Sequence, residues 1–270
     1  MDRAARIASL VAIALVATVA VFFYPPIPQD PAYHLFADSR ALWGVPNFWN
    51  VVSNVPFIAF GFIGILLVSK RAPPAGLADL RSAYLVFFVG ISLIGFGSIY
   101  YHLTPSTDRL VWDRLPMTIS FMAFFSVTLG EHISPRIGHS LLWPLVAMGV
   151  GSVMFWYWGE VRGTGDLRPY ALVQFLPMLL IPVVLLLFQS AIRPTGWMWA
   201  ILLTYSLSKL AELGDPVIFQ GLGWISGHSL KHLIASLGAL LFLRGLWSAG
   251  RSNPSPRSKG PATSHPARYR

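Results

Sequence analysis

Eight stretches of this chain are apolar over nearly the length needed to cross a bilayer, and that repetition decides the fold class before any single residue is considered. They cover roughly residues 5–24, 48–69, 82–103, 114–131, 139–158, 169–190, 196–212 and 228–247. A helix of about 20 apolar residues spans the hydrocarbon core. Inside lipid each backbone N–H and C=O must find its partner within the segment, so such runs fold as helices. Charged residues make up only 11% of the 270 residues, against about 25% in soluble domains. The expected architecture is an all-α membrane protein: a seven-transmembrane-helix bundle over residues 27–248, an additional N-terminal transmembrane helix over 1–26, and a disordered basic tail over 249–270.

The charge pattern sets the expected orientation. Arg3 and Arg6 precede the first span, and Lys70, Arg71, Arg81, Arg136 and Arg193 fall in alternate loops. Lys and Arg mark cytoplasmic loops, so both termini are expected inside. The net charge of +9 is concentrated in that tail and points to anionic lipid rather than nucleic acid. The first apolar run is long for a signal peptide and lacks a small-residue cleavage site, so it is expected to be retained. With no cysteine in the chain, disulfides and thiolate ligands are excluded, and any transition metal must be held by His, Asp or Glu.

Chemistry-bearing residues gather at helix ends. The third span closes with Ser98 and His102, four residues apart and therefore on one face. Asp113 follows across a short loop, at the mouth of the fourth span. The eighth span opens with His228 and His232, again at i and i+4, a spacing that lets two imidazoles reach one cation. The expected topology puts all of these in the outer half of the bilayer. Three imidazoles with an open fourth position describe a catalytic zinc site, with Asp113 as proton acceptor and Ser98 as donor to an oxyanion or support to a ligand. Taken singly, an intramembrane histidine is more often a packed, hydrogen-bonded residue; their common depth is what favours a metal. His34, His132, His139 and His265 lack such company and read as loop or surface residues.

The order Ser98, His102, then Asp113 within Trp112–Asp113–Arg114–Leu115–Pro116–Met117, then Gly227–His228 and His232, resembles the alkaline ceramidases, members of a superfamily of seven-helix membrane hydrolases that also includes the adiponectin and progestin receptors. Phe48 to Asn54 is similar to the family's first helix, and the resemblance covers about residues 38–247. It implies a hydrolase that cleaves the amide of ceramide or a related N-acyl lipid to a long-chain base and a fatty acid, with Zn2+ on His102, His228 and His232 and with Ser98 and Asp113 completing the site. The family's Ca2+ site precedes its first helix. Here that stretch, from Phe36 to Asn47, has one carboxylate, whereas calcium takes six or more oxygens. Asp38 and Asn47 are the remaining candidates, and each reads more readily as a loop cap. The short, acid-poor segment is read as a bacterial arrangement, hence an inner-membrane location.

Two polar groups lie elsewhere in the spans. Asn50 and Asn54 share a face and are expected to hydrogen-bond between helices. Tyr205, Lys209 and Glu212 share a face at spacings of four and three, where ion pairing competes with recognition of a substrate headgroup. A receptor or sensor of the same superfamily, without turnover, is the alternative function. A transporter would show inverted halves, and none is visible.

Overall fold

The computed structural model describes residues 1–190 and 195–248; the basic tail, with His265, and Arg193 lie outside the described residues. Among the described residues there are ten α-helices and no strand. They are α1 (Arg3–Phe22), α2 (Phe48–Val52), α3 (Val55–Lys70), α4 (Arg81–Leu103), α5 (Thr107–His132), α6 (Pro135–Val161), α7 (Arg168–Leu187), α8 (Gly196–Leu213), α9 (Asp215–Leu222) and α10 (Gly227–Ser248). Seven spans are long and apolar enough to cross a membrane: α1, α2 with α3, α4, α5, α6, α7 and α10. Helix α8 is not among them. Its 18 residues reach far enough, but Lys209 and Glu212 lower its apolarity.

The helices pack mainly with their chain neighbours, α4 on α5, α5 on α6 and α3 on α4, while α10 returns to lie along α8 and α3. Helix α5 is the central element, with nearly all of its C-terminal half buried. It begins seven residues before the apolar run that announces it. Ser106 caps it by accepting from the Arg109 N–H, and Asp108 sits in the first turn, where a carboxylate is favoured by the helix dipole. Asp113 is therefore inside the helix, in its second turn and one residue before the apolar run begins. At the other end His132 is buried, not on the surface, its Nδ1 lying 3.2 Å from the Thr128 carbonyl.

Close helix contacts depend on small residues. A Cβ at Gly97 of α4 would fall on the Trp112 carbonyl of α5, and one at Gly61 of α3 on Ser92 of α4. Gly97→Ala should force α4 from α5 beside Ser98 and Asp113. We expect a loss of roughly 1–3 kcal/mol, the usual cost of overpacking, read as a lower unfolding temperature in detergent.

Helix α1 lies against α7. The Arg168 guanidinium donates to the Phe22 and Tyr24 carbonyls at the end of α1 and pairs with Asp166 at 2.7 Å. That guanidinium, beside Asp166, holds its carboxyl below the usual carboxylate range. The segment after α1 is tied down as well, since Leu167 N–H donates to Ile27 and Gln29 N–H to Glu160.

Candidate metal centre

Two breaks in helical structure create the site. Pro56, in the first turn of α3, cannot continue a helix from α2, so the second span is interrupted at Ser53–Asn54. The interruption turns two polar side chains toward α10. The second break precedes α10. There Ser226 Oγ accepts from Ser229 N–H, and the Asp215 carboxylate takes the His228 N–H at 2.7 Å and the Ala37 N–H at 3.0 Å. These acceptors satisfy donors that a helix start leaves open, and they fix the turn that carries His228.

His102, from the last turn of α4, meets His228 and His232, from the first two turns of α10. Ring centroids are 5.0 Å apart for His102 with each partner and 4.9 Å for His228 with His232. One ligand nitrogen from each lies within 4.8 Å of the others, and all three rings are buried. The His102 Nδ1 has no hydrogen-bond partner. A buried, unpartnered ring nitrogen beside two further imidazoles is a donor set that fits a metal ion, and three neutral nitrogens with no thiolate suit zinc. Phe36 packs against the group, its ring 4.8 Å from His102 and 4.6 Å from His228.

The surroundings orient these rings. Ser53 Oγ lies 2.8 Å from His232 Nδ1 and 3.4 Å from the Asn50 carbonyl. If Ser53 gives its proton to that carbonyl, it accepts Nδ1–H and leaves Nε2 of His232 free as a ligand. Such supports typically change metal affinity or activity about 10–100-fold when removed. Ser53→Ala should therefore weaken metal retention by about that factor, measured by competition with a chelator. Asn47, in the left-handed region at φ 47°, donates from Nδ2 to the His102 carbonyl at 2.9 Å. Asn50 donates to the Asp38 carbonyl and accepts from Ser229 Oγ at 2.7 Å. Asn54 donates to the Asn50 carbonyl at 2.7 Å and sits 3.2 Å from His232 Nδ1. Both asparagines thus bind backbone and neighbouring helices. The Asp38 carboxylate is occupied on both oxygens by Arg40, each at 2.8 Å.

Beside the histidines a cavity of about 250 Å³ opens between α3, α4, α5, α7, α8 and α10. Its polar end carries Ser98, Asp113 and His232; Phe57, Phe87, Ile91 and Phe124 make it apolar further in. Ser98 lies against the Asp113 carboxylate. Tyr205, Lys209 and Glu212 face the same cavity. Glu212 bridges two cations, Lys209 at 2.7 Å and Lys231 at 2.8 Å, and Tyr205 accepts from Gln174 at 3.1 Å. The sequence context does not single out Lys231, although it lies three residues after His228 on one face. Its ammonium is 3.1 Å from His228 Nε2. The same holds for Arg114 and Ser53; each resembles an ordinary boundary or packing residue when read along the chain.

The fold and this centre define a class: a polytopic helical membrane protein with three buried imidazoles placed to hold a metal at the head of an apolar cavity. A family model described as ceramidase matches residues 42–205, and the chain belongs to the ceramidase family. The matched region contains Ser98, His102 and Asp113 and ends before His228. The Dictyostelium discoideum protein dcd3A, provisionally named an alkaline ceramidase, is 25% identical over 115 residues, 36% of this chain and 40% of that protein. Mouse alkaline ceramidase 3 is 30% identical over 81 residues, 30% of this chain and 27% of that protein. The matches therefore span less than half the length of these relatives.

Proposed function

We propose that this chain is a zinc-dependent amide hydrolase acting within the membrane on ceramide or a related N-acyl lipid. One observation carries the reading: three imidazoles from distant segments converge beside Ser98 and Asp113, at the polar end of an otherwise apolar cavity. The family and the names of the two relatives support the substrate class.

The residues divide the work as follows. His102, His228 and His232 would hold the zinc, which when bound acidifies a water and polarises a carbonyl. Asp113 accepts a proton from the attacking water at its carboxylate and returns it to the departing amine, so that one group serves as base and then as acid. Ser98 holds the Asp113 carboxylate in place and has a hydroxyl to donate to the developing oxyanion. The apolar wall of Phe57, Phe87, Ile91 and Phe124 seats an acyl tail by burial. In the Lys209–Glu212–Lys231 network one carboxylate holds both ammonium groups in place beside the imidazoles.

Purified protein in detergent, assayed for metal content and for fatty acid released from ceramide, tests the proposal. About one zinc per chain with release supports it. Bound zinc with no turnover on ceramides, acylamides or esters would favour a receptor or sensor instead.

A further inference from the structure

The cavity wall holds one cation too many. Its acidic and basic side chains, besides His232, are Asp113 and Glu212 against Arg114, Lys209 and Lys231, two carboxylates against three cations. Glu212 is engaged by both lysines, and Asp113 lies against Ser98. Among the described residues no carboxylate comes within ion-pair distance of Arg114. The residue is nonetheless buried, with 5% of its surface exposed. Its Nη1 is shielded and has no hydrogen-bond partner.

What surrounds the guanidinium is aromatic. Its central carbon lies 4.3 Å from the Trp156 ring centre, 4.8 Å from Tyr170 and 5.4 Å from Tyr33. These rings come from α6, α7 and the segment between α1 and α2. Ring faces attract a cation through their quadrupole, and they hold the guanidinium in one place, but they offer no lone pair to an N–H in its plane. A buried charge without counter-ion is costly. Arg114 lines the cavity, so a group that enters it can supply the acceptor the protein does not, and a planar fork of N–H donors matches carboxylate, phosphate and sulfonate oxygens.

We propose that Arg114 receives an anionic group on the lipid that occupies this cavity, and that the preferred substrates are N-acyl lipids carrying such a group near the amide. The proposal deepens the hydrolase reading above and rests on it. Substrate specificity would then be set on α5 itself: Asp113 faces the bond to be cleaved, and its neighbour Arg114 faces the headgroup.

Two substrates of equal tail and equal amide separate the possibilities, N-palmitoyl glycine with a carboxylate and N-palmitoyl ethanolamine with a hydroxyl. Wild-type protein should show a kcat/KM at least tenfold higher for the glycine conjugate. Arg114→Met should lower kcat/KM for the glycine conjugate at least tenfold more than for the ethanolamine conjugate. Equal rates on the two substrates in the wild type overturn the proposal, whether or not the variant folds, and so does an equal loss on both in the variant. Cleavage of the ethanolamine conjugate alone leaves the hydrolase reading standing and removes only the anion site. If the wild type cleaves neither, the hydrolase reading is decided by ceramide alone, and the anion site is read by binding. N-palmitoyl glycine should then raise the unfolding temperature of wild type, while N-palmitoyl ethanolamine and inorganic phosphate do not. Equal stabilisation by the two conjugates, or by phosphate alone, would overturn an anionic lipid as the occupant.

Discussion

Removal of a single imidazole, in His102→Ala, His228→Ala or His232→Ala, should release the bound zinc and take lipid amidase activity below detection. Binding free energies of zinc sites run to about 10–16 kcal/mol, so one ligand in three accounts for roughly 3–5 kcal/mol. At 1.4 kcal/mol per decade that is a fall in affinity of about two to three and a half orders of magnitude. Metal analysis after desalting and fatty-acid release from the same preparation are the paired measurements. The three variants should behave alike, because the three rings are mutually about 5 Å apart and equally buried. Should all three keep a full complement of zinc, the ions lie elsewhere and the site is misassigned. A folding defect would be visible separately: each variant leaves a small space, not a buried charge, so the helical content and detergent elution profile should be retained.

How much of this site is readable along the chain follows from how each residue is recruited. Ser98 with His102, and His228 with His232, are paired by the local period of a helix, and the alternation of spans brings both pairs to the same end. No tertiary knowledge is needed for that step, and the structure places the three histidines together. Ser53 differs. It reaches His232 only because Pro56 interrupts the second span, and a serine among apolar residues reads like packing. Arg114 is harder still, since a cation at the start of an apolar run looks like an interfacial boundary charge. Its burial depends on rings from three distant segments. The start of α5 is hidden along the chain for the same reason: Asp108, Arg109, Asp113 and Arg114 make the first two turns look polar, although Ser106 supplies the cap. His132 reads as a loop or surface residue because it ends a span, yet the packing of α5 at the centre of the bundle buries it. Helix α8 shows the converse. Its Lys209 and Glu212 remove it from the spans recognised by apolarity, while their pairing with each other and with Lys231 makes partial burial of both tolerable.

Asp113→Asn separates catalysis from metal binding. The substitution preserves shape and removes the basic lone pair, and Asp113 is not one of the three grouped ligands. Zinc content should therefore stay near that of the wild type. The rate should drop by about 10²–10⁴-fold, the usual contribution of a positioned general acid–base, and the loss should appear in kcat with little change in KM, because an interaction made only in the transition state is removed. Ser98→Ala, at the same wall of the cavity, gives the comparison. It leaves the carboxylate but removes a hydroxyl that supports it, so its deficit should be the smaller of the two, and in the double variant the effects should combine to less than their product, as expected for groups acting on one proton transfer. Loss of zinc in Asp113→Asn would make the carboxylate a ligand. Full activity in that variant would leave the proton transfer without its proposed acceptor, and the chemistry would have to be assigned to another group on the cavity wall.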